Sequence, residues 1–430
     1  MDRRENGAFA HSRKRSAKST SKRNHDEAPE VLNWIDSLNQ AIDNLSESRI
    51  TGVSISTREE SLEVIVNNLA CHLAYAHIEH RIEEMLALLK RSLLKNGTTK
   101  EACLAARAIA LTFINLEQVS ETEADDLYRR ILPSLRNIIK DSDQADIKVN
   151  CLQTLSLITY TSASDIDKQL VRNYLFDLIE TDGADFNVEG LDAHSLDQFL
   201  CAAVHAYGVL YASSFASGFV DFEVLWEELE KVMPVHEIML ESSDKSIRIA
   251  SGENIALMFE TANIFLADDD EESEDDKPEY DNLDGLIHTL KQLSMDSSKR
   301  HAKSDRAEQK SVFRDIVKSV EGKIRPEEEL RIEGKLLSFR GWAKILPLNA
   351  FRRSLGQGFQ HHLRNNSMMK SIFHYKVGHA SHFEDSDEDD AYDMSTLSNV
   401  DRKYIYGENK KMRSKQIRNA RITKEHTPAY

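Results

Sequence analysis

Glycine and proline are scarce in this chain, at 16 and 7 of 430 residues. So few breakers over such a length exclude a turn-rich β architecture and favour helices. Cysteine is scarcer still. Cys71, Cys103, Cys151 and Cys201 are the only four, and none forms a CxxC pair. That pattern excludes a disulfide scaffold, and it predicts reduced, buried thiols in a cytoplasmic or nuclear protein. Long apolar runs are missing as well. The most apolar stretch, Phe199–Val220, is interrupted by His205 and small polar residues, so no membrane partner is expected. The basic N-terminus has no apolar core behind it, so no secretory signal is predicted.

Catalytic signatures are absent too. There is no Gly-rich phosphate loop after a strand, no GxSxG and no pair of carboxylates in a cleft pattern. Gly356-Gln357-Gly358 reads as a turn, because no βαβ context surrounds it. His361 and His362 are neighbours that face different ways on a helix, and no HxxxH partners them, so no metal site is assigned. The expectation is a protein with no catalytic residues, no cofactor and no small-molecule substrate.

What is abundant is charge, in blocks. The net charge is −17, which argues against a generic nucleic-acid binder. Met1–Asp26 nevertheless carries eight Lys/Arg against three acids, and Asp401–Glu425 carries nine against three. Asp268–Asp284 holds eleven acids and one lysine, and Glu384–Asp390 holds six acids. Such blocks stay solvated and often serve as interaction tails. Residues 1–28 are expected to be a disordered basic tail, in which Arg13–Lys18 reads either as a nuclear address or phosphate-contacting arm, or as a solubilising segment. Residues 267–284 read as an acidic linker and 379–430 as a disordered or conditionally helical tail. Ser273 and Ser386, each followed by acids, are candidate sites for an acidophilic kinase.

From residue 29 to 266 the apolar spacing is helical almost throughout. Leu62, Ile65, Val66, Leu69 and Leu73 make one face, for example, behind a cap at Ser56 or Thr57. Four runs repeat: Glu101–Phe113, Val149–Tyr160, Gln198–Tyr211 and Ile247–Phe259. They align Cys103, Cys151, Cys201 and Ala250 at spacings of 48, 50 and 49 residues. Each run has small residues on one side and large apolar ones on the other, as the inner helix of a stacked repeat requires. The predicted fold is all-α, an armadillo/HEAT-like helical-repeat solenoid, followed by a C-terminal helical block over 285–378.

A helix is predicted from a cap at Ser297 or Ser298 to about Glu321, stopped by Gly322. On it Lys299, Arg300, Lys303, Arg306, Lys310, Arg314 and Lys318 fall within an arc of about 120°. Val312, Phe313, Ile316 and Val320 lie on a neighbouring arc, while Val317 falls inside the basic one and Asp305 projects among the apolar positions. Docked by that apolar face, the helix would present a basic ridge about 30 Å long to phosphates. A solvated face pairing with the acidic linker fits the same pattern. Arg325-Pro326 is expected to start a further element with Glu327–Glu329 in its first turn. Leu336, Leu337, Phe339 and Trp342 are expected to bury, and Gly356 and Gly358 to break the helix that carries Phe351, Leu355 and Phe359. Arg352, Arg353, His361, His362, Arg364 and Lys370 keep the block's surface basic. In the tail, Lys411, Lys415, Arg418 and Arg421 share a helical face.

The runs SVFRDIVKSVEG, RPEEELRIEGKLLSFRGW and LGQGFQHHLRNNSMMKSIF resemble the C-terminal signature of the interferon-related developmental regulator family. LLKNGTTKEACLAARAIALTFI and SIRIASGENIALMFE resemble its N-terminal repeat motifs. The run departs from the family at Phe339-Arg340-Gly341, where Asp-Ser is usual. The resemblance implies a non-enzymatic armadillo-like regulator of gene expression. It would bind ribosomes or ribosomal RNA and repress translation, or act in the nucleus as a transcriptional co-regulator through transcription factors or chromatin proteins on the solenoid surface. The basic ridge and the Arg352–Lys370 surface would carry the RNA contacts, and the tail from Arg402 to Lys424 could supply an inserted helix.

Overall fold

The computed structural model describes residues 29–47, 54–95, 97–216, 221–266, 278, 280–295, 303–332 and 335–373. The tails, most of the acidic linker, Lys299, Arg300, Ser273, Ser386, Lys411, Lys415, Arg418 and Arg421 lie outside them.

Helices dominate. They are α1 (Pro29–Glu47), α2 (Ile55–Cys71), α3 (Tyr75–Ile78), α4 (Ile82–Leu94), α5 (Thr99–Ile114), α6 (Glu121–Asp141), α7 (Ala145–Ser162) and α8 (Asp165–Glu180). Then come α9 (Ala193–Phe215), α10 (Phe222–Met239), α11 (Lys245–Leu266), α12 (Leu283–Met295) and α13 (Lys303–Val320). A hairpin of β1 (Glu327–Ile332) and β2 (Lys335–Arg340) leads into α14 (Trp342–Leu355), α15 (Phe359–Asn365) and α16 (Ser367–Phe373). No helix among the described residues is long and apolar enough to cross a membrane.

Local chemistry sets many of the helix starts. Ser54, Thr98, Ser120, Ser164 and Asp192 each accept a hydrogen bond from the backbone N–H three residues on. Each thereby satisfies one of the donors that a helix start leaves unpaired. The cap of α2 is thus Ser54 rather than Ser56 or Thr57.

The helices stack as a two-row solenoid. α2, α5, α7, α9, α11 and α13 pack side by side as an inner row, while α1, α4, α6, α8, α10 and α12 form an outer row. The aligned positions Cys103, Cys151, Cys201 and Ala250 fall one each on α5, α7, α9 and α11, as the repeat spacing requires. All four thiols are free, but only Cys151 is fully buried. Cys103 and Cys201 are half-buried and Cys71 is exposed, so the expectation of four buried thiols is corrected. Cys71 is the last residue of α2.

The segment after Pro326 is also corrected. It is an antiparallel hairpin, paired from Glu327↔Arg340 to Ile332↔Lys335, not a helix. Along β1, Glu328, Leu330 and Ile332 turn inward while Glu327, Glu329 and Arg331 face solvent. That period of two is a strand's, and the run of acids obscures it. Leu336 faces solvent, 56% exposed, against the expectation that it buries, whereas Phe339 and Trp342 are buried.

The last three helices do not extend the stack. α14 runs across the inner row, touching α9, α11, α5, α7 and α2, and α15 ends against α2. Gly358 makes that approach close enough that any Cβ there would overlap the Ala70 carbonyl at the end of α2. The inner face of the solenoid is therefore covered by the chain's own C-terminal block.

Candidate functional site

The ridge helix is docked as its pattern requires. Phe313, Ile316, Val317 and Val320 of α13 are buried where the helix packs on α11 and α12. Arg314 is exposed and Lys310 and Lys318 are half-exposed, while Val317, inside the arc that carries them, is buried, so the basic and apolar faces overlap on the Lys310 side. Lys318 is paired with Asp315 at 3.0 Å, one turn back. Lys303 and Arg306 lie on the same helix by its backbone. At its foot, Lys291 and Lys323 contact Glu321 at 2.7 and 2.6 Å and hold its carboxyl below the usual range.

The second set of basic residues is placed elsewhere. Arg352 is engaged by Glu328 of β1 and stacks 5.5 Å from the Phe359 ring centre. Arg353 is exposed at the inner face, and Arg364 and Lys370 are half-buried. α15 rests on α2, and α16 is tied to the end of α5. There Asn366 Nδ2 donates to Ile114 O at 2.8 Å, and Ser367 N donates to Glu117 Oε2 at 2.8 Å. α13 packs on α11 and α12, at the other end of the row. The ridge and the Arg364–Lys370 surface are therefore two patches rather than one.

Buried polar contacts fix this arrangement. Glu260 of α11, 4% exposed, accepts from Arg325 Nη2 at 3.0 Å and from the Trp342 backbone N–H at 2.9 Å. Gly341, at φ 89°, lies so close that a Cβ would strike that carboxylate. Trp342 Nε1 donates to Ser319 Oγ at 2.9 Å, joining α14 to α13. At the other end of α14, Arg107 donates through Nε and Nη2 to the Ser354 carbonyl at 3.1 and 2.9 Å. That carbonyl is one of the acceptors that a helix end leaves without an intrahelical donor.

Between α14 and the inner row lies a cavity of about 470 Å³. Its walls carry Arg107, Asn150, Gln153, His205, Lys245, Glu253, Asn349 and Arg353 beside small residues such as Ala110, Ala206 and Ala350. His205 is lowered to about 4 by burial, with Arg353 adding to the effect, so it is neutral at pH 7. None of the cavity except Arg353 was singled out by sequence pattern. The small residues on one side of each repeat run were its only signal, and they fit tight helix packing equally well.

Two further buried groups were missed. Lys148 is fully buried and donates to Ile139 O at 2.7 Å and Phe186 O at 2.5 Å, while burial lowers it to about 8. His362 is fully buried against Leu69 and Ala70 and is lowered to about 4, chiefly by desolvation. Its neighbour His361 is exposed. Among the described residues no group of three or more His, Cys, Asp or Glu is placed to hold a metal ion.

Residues 9–321 match the family model for interferon-related developmental regulators. The match ends at the foot of α13, before the hairpin and α14–α16. The chain is 29% identical to interferon-related developmental regulator 2 of Mus musculus, over 75% of this chain and 70% of the relative. It is 25% identical to interferon-related developmental regulator 1 of Homo sapiens, over 74% of this chain and 68% of that protein. An uncharacterised protein of Schizosaccharomyces pombe is 26% identical over 85% of this chain and 79% of its own length. With a family model spanning most of a two-row helical solenoid, the chain belongs to the interferon-related developmental regulator family.

Proposed function

We propose that this protein is a non-catalytic regulator that binds ribosomes or ribosomal RNA through the basic face of α13 and represses translation in the cytoplasm. The observation that carries the reading is the docking of α13. Its apolar side is buried while Lys310 and Arg314 face solvent, with no ion pair to another described residue. On a body of net charge −17, such a localised basic strip attracts phosphate while the rest of the surface repels non-specific RNA. The test is sedimentation of the full chain with purified ribosomes through sucrose at low salt. Wild type is expected in the ribosomal fractions, and Lys310→Glu/Arg314→Glu in the soluble ones. Wild type left wholly soluble, or a variant that sediments unchanged, would sink the idea.

A second reading is a nuclear co-regulator that works through protein contacts. With α14–α16 over the inner row, such a partner would meet the outer row, where Ile166 and Leu170 of α8 are 73% and 52% exposed. Leu170→Glu would then release nuclear partners while leaving ribosome sedimentation intact.

A further inference from the structure

The cavity under α14 has a composition that the ridge reading does not use. Three cationic side chains, Arg107, Lys245 and Arg353, line it against one carboxylate, Glu253. Arg107 commits Nε and Nη2 to the Ser354 carbonyl, which leaves Nη1 without a partner among the described residues. Arg353 makes no ion pair with another described residue. Ser156 and Ser354, 3% and 8% exposed, also line the cavity, and both bury hydroxyls that have no hydrogen-bond partner. Buried polar groups are ordinarily satisfied, so an unpaired pair beside a cavity points to a polar occupant. The amides of Gln153 and Asn349 add donors and acceptors around the rim.

We propose that this cavity binds a small ligand through an oxyanion group, phosphate or carboxylate, held by Arg353 and the Nη1 edge of Arg107. A volume near 470 Å³, walled on several sides by helices, suits a small molecule. Guanidinium groups match the planar geometry of both anions. The ligand touches α14 on one side and α5, α7, α9 and α11 on the other, so its binding fastens the C-terminal block to the inner row. The proposal does not depend on ribosome binding.

The experiment is thermal unfolding of the full chain at constant ionic strength, with chloride replaced stepwise by inorganic phosphate, adenosine monophosphate or citrate. A ligand that binds only the folded state raises the melting temperature in a saturable way. The expected result is such a rise with at least one probe. Phosphate or the nucleotide would assign the phosphate class, and citrate alone the carboxylate class. Arg353→Ala should weaken the response about 10- to 100-fold in apparent affinity, the range of a charged hydrogen bond. Asn349→Asp, at an exposed wall position, should weaken it by repulsion and serves if Arg353→Ala does not fold. Lys310→Ala/Arg314→Ala should leave it unchanged. No saturable rise with any probe, or an equal rise in both cavity variants, would overturn the proposal.

Discussion

Replacing Lys310 and Arg314 together by alanine gives the most direct quantitative test of the ridge. Both side chains reach solvent from a helix whose far side is buried, so truncation should leave the fold intact. Lys318 is excluded because Asp315 already partners it at 3.0 Å. If each of the two residues neutralises one phosphate, binding loses two released counterions. The slope of log K against log salt then becomes shallower by about 1.4 for single strands and about 1.8 for duplex. At 0.1 M salt the same loss weakens binding by about 25- to 60-fold. The assay is equilibrium binding of labelled protein to purified ribosomes from 50 to 200 mM potassium salt. A variant that binds more weakly with an unchanged slope would show that the two residues act through packing. An unchanged affinity and slope would show that α13 presents only a solvated face.

Other outcomes follow from the buried polar groups. Asn115, 1% exposed, donates to Leu69 O at 3.0 Å and accepts from the buried Ala74 N–H at 2.8 Å, so Asn115→Ala leaves both unpaired. A loss of about 3 kcal/mol in urea unfolding is expected, and a loss below about 1 kcal/mol would contradict it. Glu260→Ala removes the acceptor of Trp342 N–H and the carboxylate facing Arg325, and should cost about 3–5 kcal/mol. Amide exchange at Trp342 should quicken in that variant and stay slow in Glu260→Gln. The third outcome concerns pH. His236 donates through Nδ1 to Val232 O and accepts from Asn254 Nδ2, an assignment that needs the neutral ring, and burial lowers its pKa to about 4. His362 is lowered to about 4 as well. In the unfolded chain both titrate near 6.5, so the unfolded state binds more protons between 6.5 and 4. Their contribution is complete above pH 6.5 and is lost as pH falls to about 4, on the order of 3 kcal/mol each. His236→Leu should flatten that acid limb in a melting-temperature profile, and an unchanged limb would refute the assignment.

The repeat spacing made the inner row legible, because one small position recurring every 48 to 50 residues marks the same helix in successive layers. The amphipathic face of α13 and the breaks at Gly322, Gly356 and Gly358 were legible for the same local reason. The destination of α14–α16 was not. Its anchors join Arg107 to Ser354 and Ile114 to Asn366, 247 and 252 residues apart, and periodicity carries no information on such pairings. The hairpin was hidden because Glu327–Glu329 suits a helix start, while the alternation of Glu328, Leu330 and Ile332 is short. The cavity was hidden because alanines that let helices pack closely are the same residues that leave room under a crossing helix.

The crossing helix also decides how a partner can use this solenoid. Trp342, Ile345, Leu346, Leu348, Phe351, Leu355, Phe359, Leu363, Met369 and Phe373 are each at most 8% exposed. Fully burying a large apolar side chain is worth about 1.5–3 kcal/mol, so these ten together represent about 15–30 kcal/mol. A segment of some thirty residues freed from the inner row would retain little of that burial on its own. A peptide that binds with nanomolar affinity supplies about 12 kcal/mol. A partner competing for the inner face would therefore have to make up most of that loss before gaining any net affinity. The chemistry open to partners lies instead where α14–α16 leave the surface free: the strip of α13, the outer row and the rim of the cavity.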